Sequence, residues 1–544
     1  MIQLVSLPGL KLDCPDINMP LLKGFLKEHR IHARHTDLNI ESFYTRLSSQ
    51  SQIIASGGNP AERQKLGKLF HSISVINGSE DSSYEVYQEA GIIIRKAMRE
   101  SAKPYGLIWD TKGIEHSLSL NAGTITEESL KHPVFGFFDD IFDRFASSLA
   151  EEDRYVVLSV TSQSQYPFAI RLAKKIKENG NHRIIITGNY LPYISESLPL
   201  IAKEAWWINC HILGYPEDIF LDLLEREDWL ENKILETRHW KSPEKNASLH
   251  LSSTPDFSDL TLSLYLSKEL VLPLQITNGC YYGKCRFCSF HYGDGSYFLA
   301  EKEQTEKNIS TYVNQYHARH ILFVDRCIPA SEVLQMCRYI ISKSYKIDWL
   351  LETRIDPLYS MDENVALLKK AGCKVISFGI ESADQELLNR MNKGIDFSLA
   401  EECMGKISGQ GICVASTIML LYLGETFESL KKTLDYLLTN TCIDLFGILA
   451  YSLTKHSPVY DENKQMLEPS TDPEKSLNQT YDRTLLADEP DQRQIDLINH
   501  FYSESIVKEH FASVSKTIFR SHYLFWPKEK YSFQSRKQLQ SSGF

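Results

Sequence analysis

The chain has 544 residues, room for two or three domains with sizeable cores, and is 42% hydrophobic with a net charge of −11. That charge leaves no cationic excess to displace counterions from phosphates and argues against a general nucleic-acid binder. No uninterrupted apolar run reaches the roughly 20 residues that span a bilayer, and the opening MIQLVSLPGLKLDCPD lacks a basic start and a cleavable apolar segment. The expectation is a cytoplasmic protein without a membrane partner. Eleven cysteines, an odd number, fit a disulfide framework poorly.

In chain order, Ile2–Ser6 reads as a strand, Pro20–His29 as a helix and His32–Asp37 as a second strand. A polar, helical-looking insertion follows over 45–150, broken by the Gly/Ser-rich stretch Ser56–Pro60. Alternation resumes with a β-branched strand at Tyr155–Val160, a helix at Pro167–Asn179, a strand at Arg183–Thr187 and a short helix from Ile219. Such alternation predicts a doubly wound sheet over 1–228, which takes ligands beyond the carboxyl ends of its strands. Residues 229–268, rich in Ser, Pro and charge, read as a linker.

A second α/β series runs over 269–455. Its strand candidates are Val271–Thr277, His320–Asp325, Ile347–Glu352, Lys374–Gly379, Ile412–Leu421 and Asp444–Tyr451, with a helical segment in each gap. Six such units predict a parallel barrel or an open part-barrel with its functional residues at the strand carboxyl ends. Asp325, Arg354, Glu381 and Glu425 fall there or just beyond. Residues 456–544 read as a mostly helical region. Its aromatics (Phe501, Phe519 and Tyr523 among them) are expected to pack against the main domain, and the Lys/Arg-rich stretch Lys528–Lys537 is expected to form a solvated surface.

The chemistry-bearing feature is NGCYYGKCRFC, which sets Cys280, Cys285 and Cys288 on a loop directly after the apolar stretch Leu270–Ile276. Three thiolates are one short of the four that close a structural zinc site or a fully protein-ligated iron–sulfur cluster. A cluster held by three leaves one iron open. Two other readings of the triplet stand beside this one. One is a zinc-binding interaction module with His291 as fourth ligand, although zinc spacing usually pairs two separated ligand couples. The other is a non-catalytic electron carrier, whose cluster would normally have four protein ligands. The scattered cysteines, Cys327 among them, read as small buried hydrophobes.

The triplet, followed in order by FVD (Phe323–Asp325), FGIES (Phe378–Ser382) and the GET turn (Gly424–Thr426), resembles the radical S-adenosylmethionine (radical SAM) superfamily over about 270–455. This chain has Cys-x4-Cys-x2-Cys where the family usually has x3 in the first gap, and Leu421 and Leu423 where glycine and proline are frequent. The first half resembles the cobalamin-binding domain of one large subgroup. It does so in SLPGLKLDCPDINMPLLKGFLKEHRI, in DLNIESFY, in VVLSVTSQSQYPFAIRLAKKIK and in the position of GYPEDIFLDLL. Gly188–Asn189 replaces the usual Gly-Gly, and no Asp-x-His-x-x-Gly motif offers a lower cobalt ligand.

The resemblance implies an N-terminal Rossmann-like cobalamin-binding domain, a partial (β/α)6 TIM-type barrel and a helical C-terminal region. It implies a [4Fe–4S] cluster on Cys280, Cys285 and Cys288 that cleaves S-adenosylmethionine to a 5′-deoxyadenosyl radical. Glu381 is then a ribose acceptor, Asp325 and Arg354 contacts to the methionine amino and carboxylate groups, Phe287 a neighbour of the adenine, and Gly424 and Glu425 the last wall. Ser159, Thr161, Ser162, Gln163 and Gly188 would line the corrin's lower face and nucleotide tail. The expected reaction is cobalamin-dependent methylation of an unactivated carbon in a peptide or small natural product, with flavodoxin or ferredoxin as electron donor. The alternative is a radical cyclisation or rearrangement with a degenerate cobalamin domain. Taken singly, Asp325 and Glu381 read equally as helix caps and Arg354 as a surface ion pair.

Overall fold

The computed structural model describes residues 1–544 apart from 117–121, 123–124, 226–233, 237–248, 294, 472–475, 487, 518 and 542–544. The chain divides into two units. The first comprises Met1–Leu270, Tyr292–Ser296 and Thr471–Gln479; the second comprises Val271–His291, Tyr297–Ser470 and Thr480–Phe544.

In the first unit the strands are β1 (Ile2–Ser6), β2 (Ala33–Asp37), the hairpin β3 (Leu107–Asp110) and β4 (Gly113–His116), β5 (Tyr155–Ser159), β6 (Arg183–Thr187), β7 (Cys210–Leu213) and β8 (Ile234–Glu236). All but the hairpin join one parallel sheet in the order β2-β1-β5-β6-β7-β8. Parallel strands are covered on both faces and read as continuous apolar runs. Accordingly every residue of β1 and β5 is buried. Ile2, Leu4, Val157 and Ile185 pack with Phe25 and Phe220 from the helices Asn18–Glu28 and Glu217–Glu225. Strand order reverses between β1 and β5, the switch point at which sheets of this kind open a crevice. Gln165 ties the two loops there: its side-chain amide donates to the carbonyls of Leu7 and Pro8, and its oxygen accepts from the Thr161 N–H.

The insertion contains the helices Leu38–Gly57, Pro60–Ile76, Tyr84–Ala102 and Asp139–Ser148. Its Ser56–Pro60 break is a helix start, where Asn59 and Glu62 form a capping box. The β3–β4 hairpin is absent from the sequence reading. It is held from outside, by Trp109 packed 5.3 Å from Phe137 and 6.3 Å from Phe43 and Phe138. Within the stretch read as a linker, 229–233 and 237–248 lie outside the described residues, and the part after 248 packs onto the first unit. Lys23 pairs with Asp259 at 2.6 Å, and the Tyr265 hydroxyl donates to Asp37 at 2.5 Å.

The second unit holds β9 (Val271–Leu274), the short antiparallel pair β10 (Thr277–Asn278) and β11 (Phe298–Leu299), β12 (His320–Phe323), β13 (Asp348–Thr353), β14 (Cys373–Glu381), β15 (Cys413–Leu420) and β16 (Leu445–Ala450). The order β9-β12-β13-β14-β15-β16 is parallel throughout, with β9 and β16 as its two edges, which makes an open part-barrel. The six strands match the six expected, and the helix Ala330–Ser342 has the expected bounds.

The basic stretch expected to be solvated is instead pinned to the barrel. Asp444, fully buried, accepts from Lys528 Nζ at 2.9 Å, Ser532 Oγ at 2.6 Å and the Val414 N–H at 2.9 Å. On the preceding helix Ser505–Lys516, His510 is fully buried and stacks 4.0 Å from Phe446. Burial lowers its pKa from 6.5 to about 4. The unfolded chain therefore takes up this proton first, between pH 6.5 and 4. The associated stability is complete above that window and lost as pH falls through it, by about 3 kcal/mol at roughly 1.4 kcal/mol per pH unit. Chemical denaturation at pH 7 and pH 4 should show this loss, and the loss should be smaller in His510→Phe. Among the described residues no helix is long and apolar enough to cross a membrane.

Candidate functional site

The cysteine loop is set by contacts just beyond the ends of β9 and β12. Asp325 Oδ1 accepts from the N–H groups of Ile276 (2.9 Å) and Thr277 (2.5 Å) and from Thr277 Oγ1 (2.8 Å). Asp325 is therefore not a helix cap; it fastens the backbone that leads to Cys280. Its other oxygen is buried without a partner, and burial raises the carboxyl to about 6. Two residues on, Cys327 forms an isolated parallel bridge with Cys280. The neighbouring Cys327 thiol, with the backbone N–H groups of Gly283 and Tyr282 and the charge of Arg354, lowers the Cys280 thiol to about 5. Cys327 is thus more than a buried hydrophobe. Burial raises Cys285, and raises Cys288 to about 11.

Arg354, just past β13, is 9% exposed and faces the loop, which rules out a surface ion pair. Its Nη1 lies 3.8 Å from Cys285 Sγ, Nη2 donates to the Lys393 carbonyl, and the guanidinium sits 3.8 Å from the Tyr282 ring centre. Glu381 ends β14 with φ of 65°, a left-handed conformation that costs a non-glycine residue of order 1–3 kcal/mol and is found mostly at functional sites. The β14–β15 register shifts between Gly379 and Glu381. Glu381 pairs with Lys393 Nζ at 2.9 Å, with side-chain exposures of 10% and 8%. A Cβ on Gly379 would stand 2.6 Å from Glu381 Oε1 and 3.0 Å from Lys393 Nζ, so a side chain there would push the tips of the pair aside. Burial works against the Lys393 ammonium, but Glu381, with Cys285, outweighs it and holds the lysine above its ordinary value. The next helix, Gln385–Arg390, is capped by Asp384, not by Glu381. Lys393 also lies 5.5 Å from the ring centre of Phe287. The sequence reading missed Lys393; its only signal there was a lysine in the turn after that helix.

Phe287 meets Tyr422 edge-on at 6.4 Å. The Gly424 carbonyl accepts from Arg390 Nη1 at 2.7 Å, and Glu425 Oε2 accepts from the Leu421 N–H at 2.5 Å. Leu421 has φ of 62° and Gly424 66°. Leu421 therefore keeps a glycine-type backbone while adding a side chain. Burial raises Glu425 to about 7, and its Oε1 has no partner. The structure thus links Phe287, Arg354, Glu381 and Lys393 to the cysteine loop, with Asp325 at the loop's root and Gly424 and Glu425 on the turn that Arg390 holds.

The donor set fits a three-thiolate cluster: all eleven cysteines are free, and a buried guanidinium stands beside Cys285 to offset thiolate charge. The thiolates of an iron–sulfur cube bind different irons, so they need not converge on one point. Among the described residues no group of three or more His, Cys, Asp or Glu is gathered to hold a single metal ion, so the zinc reading with His291 gains no support.

In the first unit, Ser159 ends β5 with its hydroxyl buried and unpartnered. The Thr161 hydroxyl donates to Gln165, Ser162 meets Ser164, and the Gln163 amide donates to Asn478. These hydroxyls and amides suit an uncharged, amide-rich ligand such as a corrin. Gly188, after β6, has φ of +125°, and a Cβ there would stand 2.1 Å from the Val160 carbonyl oxygen. Gly188→Ala should destabilise this unit by about 3 kcal/mol or more through strain and overpacking, measurable by chemical denaturation.

Residues 274–437 match the model of the radical SAM superfamily. The anaerobic magnesium-protoporphyrin IX monomethyl ester cyclase of Rubrivivax gelatinosus is 22% identical over 256 residues, which are 43% of this chain and 45% of that protein. The chain thus spans less than half the length of that curated relative. Among solved structures, the radical S-adenosylmethionine methyltransferase TsrM of Kitasatospora setae, with tryptophan and a SAM analogue bound, aligns with a TM-score of 0.57 at 11% identity, covering 86% of this chain and 76% of TsrM. The cobalamin-dependent S-adenosylmethionine radical enzyme OxsB, with aqua-cobalamin and S-adenosylmethionine bound, aligns with a TM-score of 0.56 at 14% identity, covering 96% of this chain and 72% of OxsB. The protein therefore carries a radical SAM domain, in a chain that shares the fold of the cobalamin-dependent radical SAM enzymes.

Proposed function

We propose that the protein is a radical SAM enzyme that methylates an unactivated carbon of a peptide or small natural product with the help of cobalamin. The observation that carries the radical part is the contact chain from Cys285 through Arg354 and Lys393 to Glu381. Two cations, a buried carboxylate and one thiol of the triplet in mutual contact support that reading. When bound, the cluster and S-adenosylmethionine supply a 5′-deoxyadenosyl radical, and cobalamin supplies a methyl group.

Cys280, Cys285 and Cys288 would hold three irons. Glu381 would accept from the ribose hydroxyls beside its buried partner Lys393. Arg354 would meet the methionine carboxylate and the free oxygen of Asp325 its amino group, with Phe287 against the adenine. Gly424 and Glu425 would close the last wall. Ser159, Thr161, Ser162, Gln163 and Gly188 would face the corrin. The free thiols suit a reducing cytoplasm.

A second reading, radical cyclisation without methyl transfer, is favoured by the name of the Rubrivivax relative. Anaerobic reconstitution with iron and sulfide, followed by analysis for iron, sulfide and corrinoid, tests the cofactors. Incubation with S-adenosylmethionine and dithionite then separates the readings. Methylation gives 5′-deoxyadenosine together with S-adenosylhomocysteine, whereas the second reading gives 5′-deoxyadenosine alone. A chain that takes up no iron would sink both.

A further inference from the structure

Strand register fixes what one face of the second sheet presents. Glu352, Ser377, Ala415 and Leu445 stand in one row, and Gly379, Thr417 and Gly447 follow two residues on, level with Arg354. On the opposite face Leu351, Ile376 and Val414 are fully buried. On the Arg354 face Glu352, Ala415 and Thr417 are only partly buried, Gly447 is exposed and Leu449 is 63% exposed. Parallel strands are normally covered on both faces, and a closed barrel fills its interior with bulky side chains; this part-barrel leaves the Arg354 face open. One ion pair stands on it. The short helical turn Arg520–Leu524 packs against β13 and β14. Arg520 Nη1 donates to Glu352 Oε2 at 3.0 Å, and Nη2 lies 3.4 Å from the Leu351 carbonyl oxygen. The Arg520 and Glu352 side chains keep exposures of 33% and 41%. A guanidinium has five N–H donors and a carboxylate about four acceptor sites, so both groups can take further partners.

We propose, resting on the methylation reading above, that the Glu352–Arg520 pair anchors the substrate, and that the substrate is a small α-amino acid with an apolar side chain. A lone anion would be drawn by Arg520 and repelled by Glu352, and a lone cation the reverse. An α-ammonium and its α-carboxylate carry both charges close together, so each meets its opposite: the carboxylate on the guanidinium, the ammonium on Glu352. The side chain then extends along the strands to the row of Thr417 and Gly447, roughly 7 Å on, where glycine leaves room and Leu449 beyond it offers apolar surface. This orientation turns the unactivated carbons toward the strand carboxyl ends, past which Arg354 and the cysteine loop lie. Glu352 and Arg520 hold the substrate in place and take no part in bond making.

The test is calorimetry on the reconstituted full chain with L-phenylalanine, L-leucine and two phenylalanine analogues that each lack one charge, phenethylamine and 3-phenylpropionate. The wild type should bind phenylalanine about tenfold or more tightly than either analogue, the span of one charged hydrogen bond. Arg520→Gln should lose about tenfold toward phenylalanine and 3-phenylpropionate and keep its affinity for phenethylamine. Glu352→Gln should lose about tenfold toward phenylalanine and phenethylamine and keep its affinity for 3-phenylpropionate. A partly exposed pair contributes little to stability, so both variants should keep the wild-type denaturation midpoint, and both should keep the wild-type affinity for S-adenosylmethionine. A wild-type chain that binds neither phenylalanine nor leucine would overturn the proposal. So would an equal loss toward all three phenyl ligands in either variant, the mark of a disturbed fold. The crossed pattern in a chain that takes up no iron would support the anchor and sink the radical reading instead, because binding is measured without turnover.

Discussion

Cys285→Ala should leave a folded protein that no longer assembles an iron–sulfur cluster. Its iron and sulfide should fall to background after anaerobic reconstitution, and its 5′-deoxyadenosine formation should fall by more than about 100-fold, beyond the range expected for losing a group that only supports a ligand. Three thiolates leave no spare protein ligand, so losing one opens a second corner of the cube to solvent. Cys280→Ala and Cys288→Ala should behave alike. Cys337→Ala, a buried cysteine in the helix Ala330–Ser342, should keep its iron. Cys327→Ala is the informative companion because Cys327 is bridged to Cys280 through the backbone. If Cys327 only supports the Cys280 thiolate, iron binding weakens and cluster assembly survives. If Cys327→Ala removes the cluster as completely as Cys285→Ala, four protein ligands hold it, and the open iron on which the radical chemistry depends does not exist.

The second large effect is expected at the Glu381–Lys393 pair. Glu381→Gln should weaken S-adenosylmethionine binding by about 10- to 100-fold, the loss of roughly 1.5–3 kcal/mol from hydrogen bonds to a charged acceptor, measured by equilibrium dialysis on the reconstituted protein. Each partner is buried, so Glu381→Gln or Lys393→Met strands one charge and should cost about 3–5 kcal/mol of stability. The double variant should cost less than the sum of the two, because it leaves no stranded charge. Glu381→Gly separates strain from charge: it should recover about 1–2 kcal/mol of left-handed backbone strain while losing the same binding as Glu381→Gln. Unaltered affinity for S-adenosylmethionine in Glu381→Gln would remove Glu381 from the site.

The Glu381–Lys393 pair also shows the limit of reading the chain alone. Glu381 was legible because it sits in FGIES at a strand end, a local pattern. Its conformation, its partner Lys393 and the glycine beside them were not, because they depend on a register shift between neighbouring strands. Asp325 was legible as a site residue, but not as the anchor of Ile276 and Thr277, 49 and 48 residues earlier in the chain. Strand β8, three residues long, and the β3–β4 hairpin escaped because short strands carry too few alternations to show a period. Lys528 read as solvated because its buried partner, Asp444, lies on a distant element.

By itself the sequence determined the six-strand repeat of the second unit, the parallel alternation of the first and the three cysteines after β9. Apolar periodicity and ligand spacing are local properties, written within a dozen residues. The tertiary structure alone decided which groups surround those cysteines. Cys327, Arg354 and Lys393 reach the loop from elements far apart in the chain, and strand order, not sequence distance, sets which loops share one end of a parallel sheet.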